Sequence, residues 1–400
     1  MDMKILIVSH EYPPIGGGGA NACLYLSREY AKRGNEVKII TVWYEDMPEA
    51  EIITQYGASI KITRLKAKRK KKEHCSFVEM LDFLIMAMKE ADREVRSAIK
   101  QGMPYEICHV FFGIPSGPVG YRLKKKYGLP YVIRFGGGDI PGFQDRFTVA
   151  YKLLSPAIRL IWKNADALVA NSEGLKCMAL DYCDSYPFLV FPNGVDTEEY
   201  YPPSKKSYDH NTMTLLFVSR LLERKGLQYL IPHLGELEEK SGKKLKLVIV
   251  GDGPYRETLE RLADEYCVKD RVTFEGQKDK EELLPYYQSA DIFVLPSKKE
   301  GMPNVVLEAM ACGLPIVMSP CQGSRELIDN NGIVSSKDIS RFHDSILMII
   351  TKSALDLMGM SEQSRYIACT RFSWKSVANN YIDLFDIVLK KGSSIMCNCD

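Results

Sequence analysis

Short β-branched runs that end in Gly, Pro or Ser alternate along this chain with longer stretches of helical periodicity. The runs are Lys4 to Val8, Val37 to Val42, Ile60 to Leu65, Ile107 to Phe112, Tyr131 to Phe135, Ala167 to Ala170 and Leu189 to Phe191. A polar, Pro-bearing stretch, YYPPSKKSYDHN from Tyr200 to Asn211, follows. The grammar then restarts with Leu215 to Val218, Leu245 to Val250, Arg271 to Phe274, Ile292 to Leu295, Pro315 to Met318 and Gly332 to Val334. Strands separated by helices imply parallel sheets, and runs such as LLFV, LVIV and IFVL lack alternation, as expected when helices cover both faces. The pattern predicts an α/β protein of two doubly wound parallel-sheet, Rossmann-like domains facing a cleft. They would span residues 1–199 and 212–373, joined by a linker at 200–211. An amphipathic helix over 374–392 either completes the second domain or crosses back to the first, and 393–400 form a tail.

Length agrees with two domains, since single cores stop growing at roughly 250 residues and this chain has 400. With 46% hydrophobic and 26% charged residues it has the composition of a globular protein, which excludes collagen-like, coiled-coil and disordered classes. No apolar run reaches the roughly 18 residues of a membrane span, and MDMKILIVSH lacks a cleavage site, so a cytoplasmic protein is expected. The 11 Cys form no CxxC pair and mostly sit in apolar stretches, which suits buried thiols in a reducing compartment. Cys397 and Cys399 read as part of a frayed terminus.

In open α/β sheets ligands bind beyond the carboxyl ends of the strands, so the loops that follow strands carry the candidate chemistry. His10 to Ala20, HEYPPIGGGGA, follows the first strand and precedes a helix expected from about Asn21. Gly16, Gly17, Gly18 and Gly19 let backbone approach a ligand, and the helix N-terminus behind them offers N–H groups to an anion. Their spacing is not that of a dinucleotide fingerprint. Ser219 to Gly226, SRLLERKG, holds Arg220 and Lys225 across a short turn, where both cations can meet one multiply charged group such as a diphosphate. Pro296 to Gly313, PSKKEGMPNVVLEAMACG, puts Glu300 and Gly301 in a loop, Pro303 at the first position of a helix and Glu308 inside it. Backbone N–H groups around Met302, Asn304 and Val305 suit phosphate or sugar oxygens, and a carboxylate there suits a sugar diol.

Taken together, Glu300-x7-Glu308 after SKKEG, Pro192-Asn193-Gly194-Val195-Asp196, Arg220 to Lys225 and Gly251-Asp252-Gly253-Pro254 resemble retaining glycosyltransferases of the GT-B fold, family four, which use nucleotide sugars. The resemblance runs from about Lys4 to Val388. It implies that Glu300 binds the donor sugar's hydroxyls, Glu308 the ribose hydroxyls, and Arg220 with Lys225 the diphosphate. Asn193, Gly251 and Gly253 would lie near the donor, Gly16 to Gly19 would face the phosphate, and Met302, Asn304 and Val305 would offer backbone groups. A UDP- or GDP-sugar is then the donor substrate, a glycan or lipid-linked molecule the acceptor, and no cofactor or metal is required. The chain departs from the family at YVIRFGGGD, Tyr131 to Asp139, where Gly136 occupies the place of the usual His. Asp139, Arg134 and His109 are the groups left to face the cleft, and Asp139 and His109 join Glu300, Arg220 and Lys225 as catalytic candidates.

The net charge of +2 hides an asymmetry: Arg64, Lys66, Lys68, Arg69, Lys70, Lys71 and Lys72 stand against Glu73, so Arg64 to His74 carries +6 and the rest of the chain −4. Beside it, His74 to Lys100 contains apolar Phe77, Val78, Leu81, Phe83, Leu84, Ile85, Met86 and Met88, and a cationic stretch next to such a Met-rich helix attracts an anionic membrane surface and points to peripheral contact with the inner face of the cell membrane. No interleaved aromatics or recognition helix accompany the run, which speaks against nucleic acid. The competing readings are a sugar-nucleotide epimerase and a non-catalytic nucleotide-sugar-binding protein of the same fold; a pyridine-nucleotide oxidoreductase stands further off.

Overall fold

The computed structural model describes residues 3–396 apart from 55, 73–74, 144–147, 207 and 209–210; Cys397 and Cys399 lie outside the described residues. The chain forms two compact units, Met1–Asn193 with Trp374–Asp400, and Gly194–Ser373.

The first unit is built on β1 (Lys4–Val8), β2 (Glu36–Val42), β3 (Ala50–Ile53), β4 (Ile60–Leu65), β5 (Ile107–Phe111), β6 (Tyr131–Arg134), β7 (Ala167–Ala170) and β8 (Phe188–Val190), in the order β3-β4-β2-β1-β5-β6-β7-β8. All neighbours run parallel except β3 and β4. β3 has no counterpart in the sequence reading, because an edge strand with Ile52 65% exposed carries no buried run to detect. Phe83, Ala87 and Ala91 of helix Phe77–Lys100, with Val119 and Leu123 of helix Gly117–Tyr127, cover one face of the sheet. The other face is covered by Ala22, Leu26 and Tyr30 of helix Gly18–Lys32 together with Trp374, Tyr381 and Phe385 of helix Trp374–Met396. Tyr25 stacks on Trp374 at 5.5 Å, and Arg33 donates to the Lys375 carbonyl and to Asn379 at 2.9 Å each. Of the two placements open for the last helix, the structure takes the return to the first unit, where its aromatic face completes a core.

The second unit has β9 (Thr212–Val218), β10 (Lys244–Val250), β11 (Val272–Gly276), β12 (Ile292–Leu295), β13 (Ile316–Met318) and β14 (Gly332–Val334), all parallel, in the order β11-β10-β9-β12-β13-β14. This is the doubly wound order whose direction reverses once, between β9 and β12, and such reversals leave a crevice at the strands' carboxyl ends. In the first unit the reversal falls between β1 and β5.

The unit boundary differs from the one drawn on the sequence. Residues 194–211, the end of the predicted first domain plus the linker, belong to the second unit. Tyr200 and Tyr208 are buried in its core, and Arg365 donates to the carbonyls of Tyr200 at 2.8 Å and Thr197 at 3.1 Å. The stretch reads as polar, but its tyrosine rings have an apolar body to bury. Among the described residues no helix is long and apolar enough to cross a membrane.

Candidate functional site

In the second unit, the loops leaving β9 and β12 diverge at the reversal of strand order and are tied together there. Lys298 N donates to the Arg224 carbonyl at 2.8 Å, and Arg224 Nη1 to the Lys299 carbonyl at 3.2 Å. Lys225 Nζ lies 2.5 Å from Glu300 Oε1, which also accepts from Ser297 Oγ at 2.7 Å. The pair is only 12% and 15% exposed on its two side chains, so its attraction is weakly screened and fixes the carboxylate's direction. Arg220, on the same loop as Lys225, is exposed.

The geometry of this loop depends on the one after β10. Ser219 N donates to the Val250 carbonyl at 3.1 Å and Leu221 N to the Asp252 carbonyl at 2.9 Å. Gly251 adopts φ +135°, and a Cβ there would overlap the Ser219 carbonyl oxygen; a Cβ on Gly253 would meet the Leu221 carbonyl. Both glycines therefore act locally by letting the Asp252 loop seat the backbone that presents Arg220.

Glu308 lies on helix Asn304–Ala311, half-buried, and accepts from Tyr287 OH at 2.7 Å. Burial raises its pKa, against the lowering effects of the Tyr287 hydrogen bond and of Lys280. Lys280 itself holds Glu199 at 2.6 Å. Pro303, expected as the first helical residue, is the N-cap with ψ 114°, so Asn304 opens the helix, and no side chain caps it. Val305 is half-buried and Met302 is 6% exposed within the core. Gly301 packs beside the turn of Gln322, whose N–H donates to the Glu300 carbonyl at 3.2 Å. Ser324, Arg325 and Glu326 open a single short helix, Ser324–Leu327.

In the first unit the glycine run is arranged differently from the sequence expectation. The helix begins at Gly18 rather than near Asn21, with Gly17 as its N-cap, so Gly18 and Gly19 form its first turn. Gly19 is required by close approach, since a Cβ would overlap the Phe112 ring. Gly16 N donates to the Lys72 carbonyl at 3.0 Å, and Glu11 accepts from the Gly17 backbone beneath the loop. Arg69, its side chain 2% exposed, lies 3.7 Å from Glu11 and donates to the carbonyls of Lys71 at 2.9 Å and Lys72 at 3.0 Å. Part of the basic run thus braces the glycine loop.

Two catalytic candidates take other roles. His109 is a core residue of β5 with no exposure, packed on Phe111, Tyr381 and Phe385, with Tyr30 OH 3.3 Å from its Nδ1. An alternating strand position turns it into the helix-covered face. Asp139 is 5% exposed and accepts backbone hydrogen bonds from Gly113, Gly136 and Gly137 at 2.9 Å each; it positions the loops after β5 and β6. Arg134 is 1% exposed, lies over the Phe111 ring and donates to Asn193, which is 4% exposed. Gly136 and Asn193 therefore sit with the first unit's strand ends, whereas Arg220, Lys225, Gly251, Gly253 and Glu300 to Glu308 sit with those of the second.

Sequence reasoning missed Ser297, Tyr287 and Glu11, and it read Arg69 as part of an outward-facing basic run, whereas the side chain is buried beside Glu11. Ser297 stood inside a motif already singled out, but nothing in the spacing marks Tyr287, which comes from a helix before β12. Among the described residues the group with metal-ligating proximity is His233, Glu236 and His343, none of them on the loops after β9 or β12, and its Glu236 pairs with Lys240 at 2.6 Å.

The two buried histidines make a testable demand. Burial first, then Arg69, lowers the His10 pKa to about 3, and burial, then Arg134, holds His109 well below its usual value. The unfolded chain takes up these protons near pH 6.5 and the folded chain does not, so stability present above that pH is lost as pH falls. Two such groups cost about 2.7 kcal/mol per pH unit below it. Urea unfolding between pH 7 and pH 5 is expected to show this slope, reduced by about half in His109→Gln; an unchanged slope would contradict the neutral assignment.

Comparison with known proteins agrees with this geometry. Residues 16–199 match the model of Glycosyltransferase Family 4 and residues 203–365 that of Glycosyl transferases group 1. An uncharacterised glycosyltransferase of Methanocaldococcus jannaschii is 29% identical over 97% of this chain and 99% of its own length. The GDP-mannose-dependent alpha-(1-6)-phosphatidylinositol monomannoside mannosyltransferase of Mycobacterium tuberculosis is 30% identical over 48% of this chain and 54% of its own. Sucrose-phosphate synthase from Thermosynechococcus elongatus shares the fold at a TM-score of 0.76 with 22% identity, covering 97% of this chain and all of that one. Matched in sequence through both of its sheets and in fold over nearly its full length, the chain belongs to the family 4 glycosyltransferases of GT-B architecture.

Proposed function

We propose that this glycosyltransferase takes its sugar from a nucleoside-diphosphate donor and passes it, with retention of anomeric configuration, to a glycan or lipid-linked acceptor in glycolipid or surface-polysaccharide synthesis. The observation that carries the reading is the Lys225–Glu300 pair at the strand-order reversal of the second unit, with Glu308 on the helix that follows the same loop. Glu308 would hold the ribose hydroxyls, Lys225 and Arg220 the diphosphate, and Glu300 the sugar hydroxyls. As the bond from the anomeric carbon to the diphosphate breaks, charge grows on the leaving oxygen, and cations placed there in advance stabilise it. The acceptor oxygen then bonds on the same face, giving its proton to the departing phosphate, so no protein nucleophile is called for. A divalent ion is unnecessary in this reading because Arg220 and Lys225 supply the positive charge. The GDP-mannose dependence of the mycobacterial relative supports a nucleotide-sugar donor.

The test is thermal stabilisation by UDP, GDP and ADP, wild type beside Glu308→Gln. A nucleotide at 100 times its dissociation constant adds about 2.7 kcal/mol to wild type, and the variant is expected to lose that gain. Ionising Glu308 is opposed by burial, so its stability cost appears as pH rises through the ordinary carboxylate range, and the neutral isostere should match or exceed wild type without ligand at pH 7. No shift with any diphosphate, or an equal shift in both proteins, would refute the donor site.

A further inference from the structure

Helix Phe77–Lys100 leaves a face uncovered that the transfer reaction does not use. Phe77, Val78, Leu81 and Ile85 are 42%, 64%, 49% and 48% exposed, and the last three fall on one side of the helix at positions i, i+3 and i+7. The stripe does not end at Ile85. That residue and Met88 open a groove of about 690 Å³ whose further lining includes Lys89, Arg93, Arg96, Lys100 and, from the next helix, Arg122, against a single acidic residue, Asp92. Asp92 is already paired with Arg96 and Lys126 at 2.8 and 2.6 Å. At the other end of the stripe stand Lys68, Lys70, Lys71 and Lys72, all exposed. They are held in place rather than trailing in solvent: Lys68 N donates to Asp82 at 2.7 Å, Lys70 N to Glu79 at 2.8 Å, and the Lys72 carbonyl accepts from the glycine loop. The basic window of the sequence is thereby divided. Arg64 and Arg69 turn inward to Glu51 and Glu11, and the remaining lysines face out.

We propose that this face is a docking surface for the anionic leaflet of a lipid bilayer, with the apolar stripe entering the acyl boundary and the two flanking cationic groups meeting lipid phosphates. An apolar centre with cations at both ends has the chemistry of interfacial helices, and the surplus of positive charge selects acidic headgroups over neutral ones. The proposal goes beyond the transfer reaction and is independent of the donor site, because every residue in it belongs to the first unit and no nucleotide takes part.

Flotation of the full chain, without nucleotide, with vesicles of phosphatidylcholine alone or mixed with phosphatidylglycerol tests it. Wild type is expected to float with the anionic vesicles and at least about tenfold less with the neutral ones. Two variants separate the contributions: Val78→Ser with Leu81→Ser and Ile85→Ser, and Arg93→Ser with Lys100→Ser and Arg122→Ser. Each is expected to lose about tenfold or more of the binding to anionic vesicles. Both are built on exposed side chains, and an unchanged melting temperature with an unchanged nucleotide-induced shift shows that fold and donor site are intact. Failure of wild type to float, or full flotation of the apolar variant, overturns the proposal; so does equal competition by soluble heparin for wild type and apolar variant, which would mark a general polyanion surface.

Discussion

Lys225→Ala is expected to lower the rate of sugar transfer by about 10²–10³-fold at saturating donor, the usual loss when one preorganised charge is removed from where negative charge develops. Two effects combine. The substitution removes a cation from the leaving group, and it releases Glu300, whose Oε1 is held by Lys225 at 2.5 Å and by Ser297 at 2.7 Å. A carboxylate left with one neutral partner in a side-chain environment only 15% exposed no longer has a fixed direction. Glu300→Ala should likewise abolish transfer while leaving nucleotide stabilisation largely intact, because ribose and base contacts fall to other residues. Ser297→Ala keeps both charges and should cost about tenfold or less. Transfer rates measured together with nucleotide-induced melting shifts distinguish these variants. Lys225→Ala with wild-type turnover, or Glu300→Ala that no longer senses any nucleotide, would refute the division of roles.

Gly251→Ala is expected to destabilise the second unit by about 3–5 kcal/mol, adding backbone strain to an overlap that a packed loop cannot relieve. The added methyl would strike a carbonyl oxygen, Ser219 O, and the alternative of shifting Gly251 would break the Ser219-to-Val250 hydrogen bond that seats the β9 loop. Gly301→Ala provides the contrast: nothing lies within 4 Å of its Cβ position, so its stability should stay within about 1 kcal/mol of wild type. Thermal melting of the two variants side by side reads the difference, and a Gly251→Ala protein as stable as Gly301→Ala would show that the loop yields.

Much of the architecture is legible in the chain because buried parallel strands announce themselves. Lys4 to Val8 and Ile292 to Leu295 coincide with observed strands because each is dominated by an unbroken apolar run, ILIV and IFVL, while Ile60 to Leu65, IKITRL, coincides through its β-branched residues and alternation. The loops that follow β1, β9 and β12 were identifiable for the same reason: once strand ends are known, position in the fold singles out Gly16 to Gly19, Arg220, Lys225, Glu300 and Glu308. What fails is whatever depends on a partner distant in sequence. Tyr200 and Tyr208 look like linker residues until the core that accepts their rings is known, and His109 looks like a candidate acid or base until four aromatic side chains close around it.

The basic window illustrates the same division. Its composition alone fixes a strong local positive charge, but composition cannot tell a lysine that faces water from an arginine that braces a loop. Tertiary structure sends Arg69 to Glu11 and the carbonyls of Lys71 and Lys72, because a buried guanidinium needs acceptors around its whole edge, and the turn before helix Phe77–Lys100 supplies them. The sequence by itself determined the two βα sheets, the loops that carry the chemistry and the residue types in them, all consequences of local periodicity and turn chemistry. Only the tertiary structure decided the direction of Glu300, the burial of His109 and Asp139, and the return of helix Trp374–Met396 to the first unit. Each of those depends on contacts between segments far apart along the chain, whose free energy no local pattern encodes.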